Sequence, residues 1–144
     1  MIPKFRAWRK TAQKMVNVSS LDWKIDENEK ESLSAIWWYS TQNAIVSSAD
    51  DVSDDFILMQ STRVFDKDGK EIFDGDIVKT TRFFGRADET GGFYEYDKEL
   101  IGIVKQLEGA WVIDTGKEAV YLWSEVDENE VIGNIYENPE LVEN

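Results

Sequence analysis

The stretch from Leu58 to Thr81, LMQSTRVFDKDGKEIFDGDIVKTT, holds the densest run of turn signals between apolar residues in the chain. Asp68-Gly69 is typical of a tight β-hairpin loop, because glycine adopts positive φ freely and aspartate visits the left-handed region at low cost. If these two residues form the loop, Phe65 faces Ile72 across the hairpin. The stretch therefore predicts two short antiparallel strands joined at Asp68-Gly69.

A second turn signal, Asp74-Gly75, follows directly, and residues 77–81 are typical of a strand. The many oxygens of this region also suggest a calcium loop, which needs ligands at positions 1, 3 and 5, glycine at 6 and glutamate at 12. Placing Gly69 at position 6 puts Val64 at position 1 and Gly75 at position 12. Because both ends fail, the pattern favours a hairpin.

Composition limits the protein class. The 144 residues are enough for one domain or two small ones, and 42% hydrophobic residues can form a core. The sequence contains no run of 18 apolar residues, so no membrane span is predicted, and the basic start is not followed by the apolar core of a signal peptide. The absence of cysteine excludes disulfides and fits a reducing cytoplasm. We therefore expect a cytoplasmic protein.

Charge is unevenly distributed along the chain. The net charge is −13, yet residues 1–18 carry five basic side chains and no acidic one, so the remainder is −18. Such a field repels phosphate, and nucleic acid is not the expected partner. The acidity is interpreted either as a means of solubility or as a surface for a basic partner protein or a mimic of nucleic acid.

The repertoire of catalytic side chains is small. Without histidine or cysteine the chain has no Ser-His-Asp triad, no Cys-His pair and no ordinary zinc site. Carboxylate pairs could cleave glycosides, and acidic clusters could hold magnesium, but charge runs are usually solvated surface. The clusters are Asp50, Asp51, Asp54 and Asp55, and then Asp127, Glu128 and Glu130. We expect no cofactor and no catalytic residue.

The first third of the chain predicts strands. Residues 2–8 and 15–18 indicate an antiparallel hairpin with a polar turn between them. Residues 21–40 support two interpretations. Asp26 with Glu29 resembles a helix capping box, whereas the alternation over residues 21–25 favours strand, charged loop, strand. We favour the strands.

The second half also predicts strands. The polar residues 47–55 indicate a boundary, dividing the chain into residues 1–55, an N-terminal β region with a variable acidic loop, and 56–144, a barrel-like region; the alternative is one continuous domain. Residues 85–97 indicate a long mobile loop. Short strands joined by glycine turns from residue 100 onward predict a small barrel or sandwich. Gly102 and Gly133, inside strands, indicate bulges or bends.

Six tryptophans are interpreted mainly as core or as an oligomer interface. Trp37 and Trp38 are adjacent, so in a strand they face opposite ways and one of them meets a second layer or a partner. The candidate partner surface comprises Trp37, Trp38, Asp50, Asp51, Asp54 and Asp55. Because a small β protein exposes strand edges that need protection, we expect a homo-oligomer.

Three separated pieces of the chain resemble the YopX family of phage and prophage proteins. They are Lys4–Trp8, then residues 58–78 with LMQ and DKDGKEIFDGDIV, and residues 131–141 with VIGNIYENPEL. Their order and spacing span nearly the whole chain. The sequence departs from the family pattern at three positions, with Arg9 for aspartate, Ser61 for an aromatic residue and Arg63 for glycine.

The resemblance implies a mainly β fold with an SH3-like barrel in the second half, in a small protein encoded by phages or prophages. It carries no catalytic residue over. The matching residues Asp68, Gly69, Gly75, Gly133, Asn134 and Pro139 are interpreted as turn and bend residues. We expect a non-enzymatic accessory protein that acts by protein–protein contact. The alternatives are a carboxylate-dependent or metal-binding hydrolase and a nucleic-acid binder using the basic N-terminal hairpin.

Overall fold

The computed structural model describes residues 4–39, 45–48, 55–87, 89–123 and 128–142. These residues form eleven β-strands in two antiparallel sheets, with one short 3-10 helix, Pro139–Leu141. The expectation of a mainly β fold is therefore confirmed. The chain divides into two compact units, Met1–Ser61 and Thr62–Asn144. The division of the sequence at residue 55 stays a prediction about which segments fold independently.

The first sheet has the strand order β4-β3-β2-β1-β5-β6. Its strands are β1 Phe5–Arg9, β2 Lys14–Ile25, β3 Glu31–Tyr39, β4 Ile45–Ser48, β5 Phe56–Phe65 and β6 Glu71–Phe73. The predicted N-terminal hairpin is present, since β1 pairs antiparallel with β2 from Arg6↔Asn17 to Arg9↔Lys14. On its other side β1 pairs with β5, and this places the family segments FRAW and LMQ side by side.

Residues 21–40 illustrate how β periodicity overrides a local helix signal. β2 extends to Ile25 and β3 begins at Glu31, so the interpretation as strand, loop, strand is confirmed. Asp26 forms the turn instead of capping a helix: its carboxylate accepts the N–H groups of Asn28 and Lys30. Short polar side chains satisfy turn backbone in the same way as they satisfy helix starts, so the capping signal was ambiguous.

The second sheet has the strand order β10-β9-β8-β7-β11. Its strands are β7 Asp76–Ala87, β8 Phe93–Leu107, β9 Ala110–Asp114, β10 Ala119–Tyr121 and β11 Glu128–Asn134. The mobile loop predicted over residues 85–97 is wrong, because β7 and β8 pair there as far as Ala87↔Phe93. The aromatic residues of this segment favour strand, Gly85 lies within β7, and only the Gly91 region forms the turn, where Gly91 has φ +87°.

Each unit has its own apolar core. In Met1–Ser61 the core is formed by Ala7, Val16, Leu33, Ile36, Trp38 and Phe56. In Thr62–Asn144 it is formed by Ile72, Val78, Val104, Ile113 and Leu122. On β3, alternation places Ile36 and Trp38 on one face, since every second side chain of a strand points the same way, and the register shift before Leu33 brings that residue to the same core.

The second sheet remains open within the described residues, where no backbone ladder joins β10 to β11. Two side chains bridge the gap instead. The guanidinium of Arg82 on β7 donates to the backbone oxygen of Tyr121 at 2.6 Å, and the amide of Asn129 on β11 donates to that of Leu122 at 2.8 Å. The sheet therefore curls, and side chains from β7 and β11 hold the end of β10.

Candidate functional site

Asp55, one of the predicted partner-surface residues, fastens the turn between β1 and β2. Its carboxylate accepts hydrogen bonds from the N–H of Thr11 at 2.9 Å, the hydroxyl of Thr11 at 3.0 Å and the Nε of Arg9 at 3.1 Å. Its backbone oxygen accepts the N–H of Lys10. The Thr11 N–H lowers the pKa of Asp55 most, partial burial opposes this, and Arg9 adds to the lowering. Asp55 is thus held by the fold.

The cation of Arg9 lies over two aromatic rings of the first core. Its guanidinium carbon is 5.4 Å from the centroid of the Trp38 ring and 5.7 Å from that of Phe56. The two rings pack tilted, with centroids 5.2 Å apart. Trp38 is therefore a core residue, and a cation over an aromatic face adds to its stability.

The other predicted partner-surface residues lie elsewhere. Trp37 is half-buried and pairs across the sheet with Ser20 on β2 and Ser47 on β4. Asp50, Asp51 and Asp54 lie outside the described residues. Of the proposed surface, the structure thus places Trp38 and Asp55 against Arg9 and leaves Trp37 half-buried.

The turn between β5 and β6 begins at Asp66, two residues before the predicted Asp68, and the side chain of Asp66 holds it. One carboxylate oxygen accepts the N–H groups of Asp68 and Lys70, and the other accepts that of Val131 on β11 at 3.0 Å. Gly69 has φ +82° and donates to the backbone oxygen of Asp66. The loop between Asp66 and Lys70 has three residues, longer than the two-residue loop considered from the sequence.

Burial by itself would raise the pKa of Asp66, but the N–H groups of Val131, Lys70 and Asp68 together lower the pKa below the ordinary value of an aspartate. The sequence signal that could have identified Asp66 is its position two residues before Asp68, because an aspartate at the first position of a turn bonds backbone two residues on. Its bond to Val131, 65 residues away, has no local signal.

Gly75 forms the turn between β6 and β7 with φ +86°. It is buried, its N–H donates to the backbone oxygen of Val104, and its own oxygen accepts the N–H of Ile135. Beside it, the carboxylate of Asp76 accepts the N–H of Phe73 at 2.8 Å. The FDGD motif therefore connects the turn between β6 and β7 to β8 and to Ile135, which follows β11.

Asn134 organises the turn after β11. Its side-chain oxygen accepts the N–H groups of Tyr136 and Glu137, and its side-chain amide donates to the carboxylate of Glu137. Asn138 closes the turn by donating its N–H to the backbone oxygen of Asn134, and Pro139 starts the 3-10 helix. The GNIYENP motif is thus one hydrogen-bonded turn.

Gly133 lies at an irregularity of the β11–β7 register, as expected for a glycine inside a strand. A Cβ at this position would meet the side-chain oxygen of Asn138 at 2.6 Å. A Cβ at Gly102 would meet the backbone oxygen of Asp114 at 2.5 Å. Both glycines therefore allow close approach of another segment.

The turns formed by DKDGK, FDGD and GNIYENP lie in the segments that resemble a known family, and comparison with known proteins agrees with that resemblance. The model of the family described as YopX protein matches residues 4–143. The chain belongs to the YopX family. It is also similar to protein EF1440 from Enterococcus faecalis, whose crystal structure has a TM-score of 0.56 and 25% identity over 99% of each chain. The search of curated proteins found no match.

The two arginines of the basic N-terminal segment of this YopX family member are engaged in the fold. Arg6 is only 8% exposed, and in the register of the sheet it lies opposite Met59 of β5. Arg9 is paired with Asp55 at 3.1 Å. Of the five cations predicted to form a basic hairpin, these two arginines face the protein instead of a ligand.

The acidic residues of the second unit are partly paired as well. Glu130, from the predicted magnesium cluster, lies 3.6 Å from Lys67 and 4.0 Å from Lys79. Asp127 of the same cluster lies outside the described residues. Among the residues that are described, no group of three or more metal-ligating side chains converges. Within the described ranges of both units, no helix is long and apolar enough to cross a membrane.

A groove of about 290 Å³ lies in the second unit; its lining is Ile101, Gly102, Ile103, Asp114, Thr115, Gly116, Leu141 and Val142. Its one carboxylate, Asp114, is paired with Lys105 and accepts the N–H of Gly116. Lys105 is the main cause of the lowered pKa of Asp114, which the Gly116 N–H lowers further against the effect of burial. The groove is thus of mixed polarity, and its one carboxylate is already paired with Lys105.

The tryptophans do not behave as one class. Trp8 and Trp38 are buried and Trp37 and Trp111 half-buried, as core residues are expected to be. Trp23 and Trp123, however, are 54% and 63% exposed. These two are not core residues, because strand-like context does not tell which face of a strand is covered; for them the alternative of an oligomer interface stays a prediction.

Proposed function

We propose that this YopX family member is a phage or prophage accessory protein that acts in the bacterial cytoplasm by contact with a basic partner protein. The distribution of charge carries the proposal. Residues 62–144 hold 20 acidic and nine basic side chains, a net charge of −11, whereas residues 1–61 hold nine acidic and seven basic, a net charge of −2. A field of this sign speeds encounter with basic proteins.

The engaged arginines support a protein partner over nucleic acid. A nucleic-acid binder needs exposed cations that neutralise phosphates. Burial of Arg6 and the pairing of Arg9 with Asp55 remove two cations from the N-terminal segment. The remaining lysines of this segment, Lys4, Lys10 and Lys14, belong to a chain whose net charge is −13, and a charge of that sign repels phosphate.

The second unit provides a scaffold suited to such contact. Its five-stranded sheet is bridged by Arg82 and Asn129 at the end of β10, and this supports its description as a partly open, SH3-like barrel. Small barrels of this kind present edge strands and loops to their partners, and binding through them needs no reacting group.

The experiment is capture from nuclease-treated bacterial lysate at low and high salt, followed by binding of the purified partner. The field of exposed charges extends about 8 Å at physiological ionic strength, so we expect recovery to fall as salt rises. Two triple variants of equal charge change locate the contact. One is Asp50→Lys, Asp51→Lys and Asp54→Lys; the other is Asp97→Lys, Glu118→Lys and Glu128→Lys in the second unit.

Asp55 is left unchanged in the first variant because it holds the β1–β2 turn. We expect the second variant to weaken capture more than the first. Capture that is insensitive to salt and to both variants would refute the electrostatic proposal. Stabilisation by magnesium in thermal melts would favour the hydrolase alternative. Recovery of nucleic acid alone would favour nucleic-acid binding through the basic N-terminal hairpin.

A further inference from the structure

Two exposed aromatic side chains flank a buried leucine at the end of β10. Tyr121 is 71% exposed and Trp123 is 63% exposed, while Leu122 between them is 1% exposed and belongs to the second core. Leaving rings of this size in water forgoes the large apolar burial that they offer in a core. Tyrosine and tryptophan are also the residues that most often dominate binding energy at protein interfaces.

The backbone of Tyr121 and Leu122 is held by hydrogen bonds from neighbouring strands. Arg82 donates to the oxygen of Tyr121, the N–H of Leu122 donates to the oxygen of Trp111 at 3.1 Å, and Asn129 donates to the oxygen of Leu122. Three strands of the sheet thus hold a single short segment. Aromatic residues on a segment that is already ordered bind at a low cost in conformational entropy.

The charge around this segment is acidic. From residue 115 to residue 129 the sequence contains four acidic residues and one basic residue, Lys117, while the next acid, Glu130, is paired with Lys67 and Lys79. Glu118 and Glu128 are exposed. The nearest buried cation, Arg82, is 7% exposed and its guanidinium is bonded to Thr80 and to the backbone of Tyr121. The aromatic pair therefore lies in a field that attracts cations.

We infer that Tyr121 and Trp123 form the anchor for an extended, arginine-bearing segment of the partner protein. This inference rests on the proposed function and names the part of the surface that acts. The faces of aromatic rings attract guanidinium groups, and the acidic residues around them attract the same charge from a greater distance. Nucleic acid, which could also stack on the rings, is opposed by the field.

The test uses the whole chain and a fluorescein-labelled dodecapeptide of alternating arginine and serine, with binding followed by fluorescence anisotropy. A glutamate–serine peptide and a twelve-residue oligothymidine serve as comparison ligands. Wild type is compared with the double variant Tyr121→Ser/Trp123→Ser. The matched control is Trp23→Ser/Ile25→Ser, which removes a similarly exposed apolar pair from the first unit.

We expect the affinity for the arginine peptide to fall at least tenfold in Tyr121→Ser/Trp123→Ser and to be unchanged in the control. The variant Tyr121→Leu/Trp123→Leu keeps apolar area but loses the aromatic faces, and it should also lose at least threefold. It serves as the test if the serine variant does not fold, as judged by circular dichroism. Neither variant alters the salt dependence that the acidic surface contributes.

Three results would overturn the inference. Equal affinity in all variants would show that the acidic field alone binds the peptide, while leaving the proposed function standing. Absence of binding to the arginine peptide would exclude the anchor, and the proposed function would then be judged by the lysate experiment. Binding of the oligothymidine that depends on the two rings would assign them to nucleic acid.

Discussion

At the scale of single residues, two aspartates in DKDGK have different roles. Asp66 is 8% exposed and accepts three backbone N–H groups, one of them from β11, whereas Asp68 is exposed on the loop. An unsatisfied buried group costs about 1–3 kcal/mol. We expect Asp66→Ala to destabilise by about 2–4 kcal/mol and Asp68→Ala by much less, as measured by urea unfolding. Equal losses would refute the role of Asp66.

The titration of Asp66 predicts a pH dependence. Its pKa in the folded protein is lowered, so the carboxylate contributes stability above its unfolded pKa of about 3.9, and this contribution is lost as pH falls through the folded value. Asn at this position cannot titrate. We therefore expect stability to fall less steeply in Asp66→Asn than in wild type between about pH 5 and pH 3. Asp55 and Asp114, with lowered pKa values too, leave both proteins a residual slope.

Arg63 occupies a position where the family has glycine, and its φ is +62°. A non-glycine residue in the left-handed region costs about 1–2 kcal/mol, and a β-branched residue is strained further. We expect Arg63→Val to lower the melting temperature clearly and Arg63→Gly to lower it little or raise it. Both variants lose the arginine side chain, so their difference reports backbone conformation. A more stable valine variant would contradict this.

At the scale of elements, the turn from β6 to β7 connects more of the fold than the turn from β5 to β6. Gly75 and Gly69 share a positive φ, but Gly75 is buried and both its backbone groups bond to other segments. A Cβ at Gly69 would meet nothing within 4 Å. We expect Gly69→Val to cost about 1 kcal/mol from strain alone and Gly75→Val about 3 kcal/mol.

Chemical denaturation of both glycine variants measures this difference. The comparison isolates the consequence of burial, because the substitution and the backbone region are the same. If the two variants unfold at the same denaturant concentration, the bonds of Gly75 to Val104 and Ile135 do not stabilise the turn as inferred.

At the scale of the whole molecule, net charge and open strand edges oppose each other in self-association. The edge strand β10 has no strand partner on its outer side within the described residues, and unprotected edges favour pairing between chains. A net charge of −13 on each copy repels a second copy. We expect a homo-oligomer whose association strengthens as salt rises, the reverse of binding to a basic partner.

Sedimentation at high micromolar protein concentration, in low salt and in about 0.5 M salt, tests this expectation, because salt at that level screens charges beyond a few ångströms. A monomer under both conditions would refute self-association. An oligomer that dissociates in high salt would show that specific ion pairs, rather than edges or apolar surface, hold the copies together.

The sequence by itself determined the local features of this protein. Bulky apolar residues on either side of a polar turn predicted the β1–β2 hairpin, alternation predicted the strands within residues 21–40, and the glycine of FDGD marked a turn, because strand period and positive φ are properties of a few consecutive residues. The same motifs indicated the family. Residues 85–97 were misread because glycines marked the turn but not its short extent between two paired strands.

Only the tertiary structure decided which side chains meet across the chain. It assigned Asp55 to Arg9 and Thr11, Asp66 to Val131, and Trp38 to the core beneath Arg9. It also left Tyr121 and Trp123 exposed around buried Leu122. Burial and long-range hydrogen bonds depend on which strands become neighbours, and that is set by the pairing of the whole sheet and carries no local sequence signal.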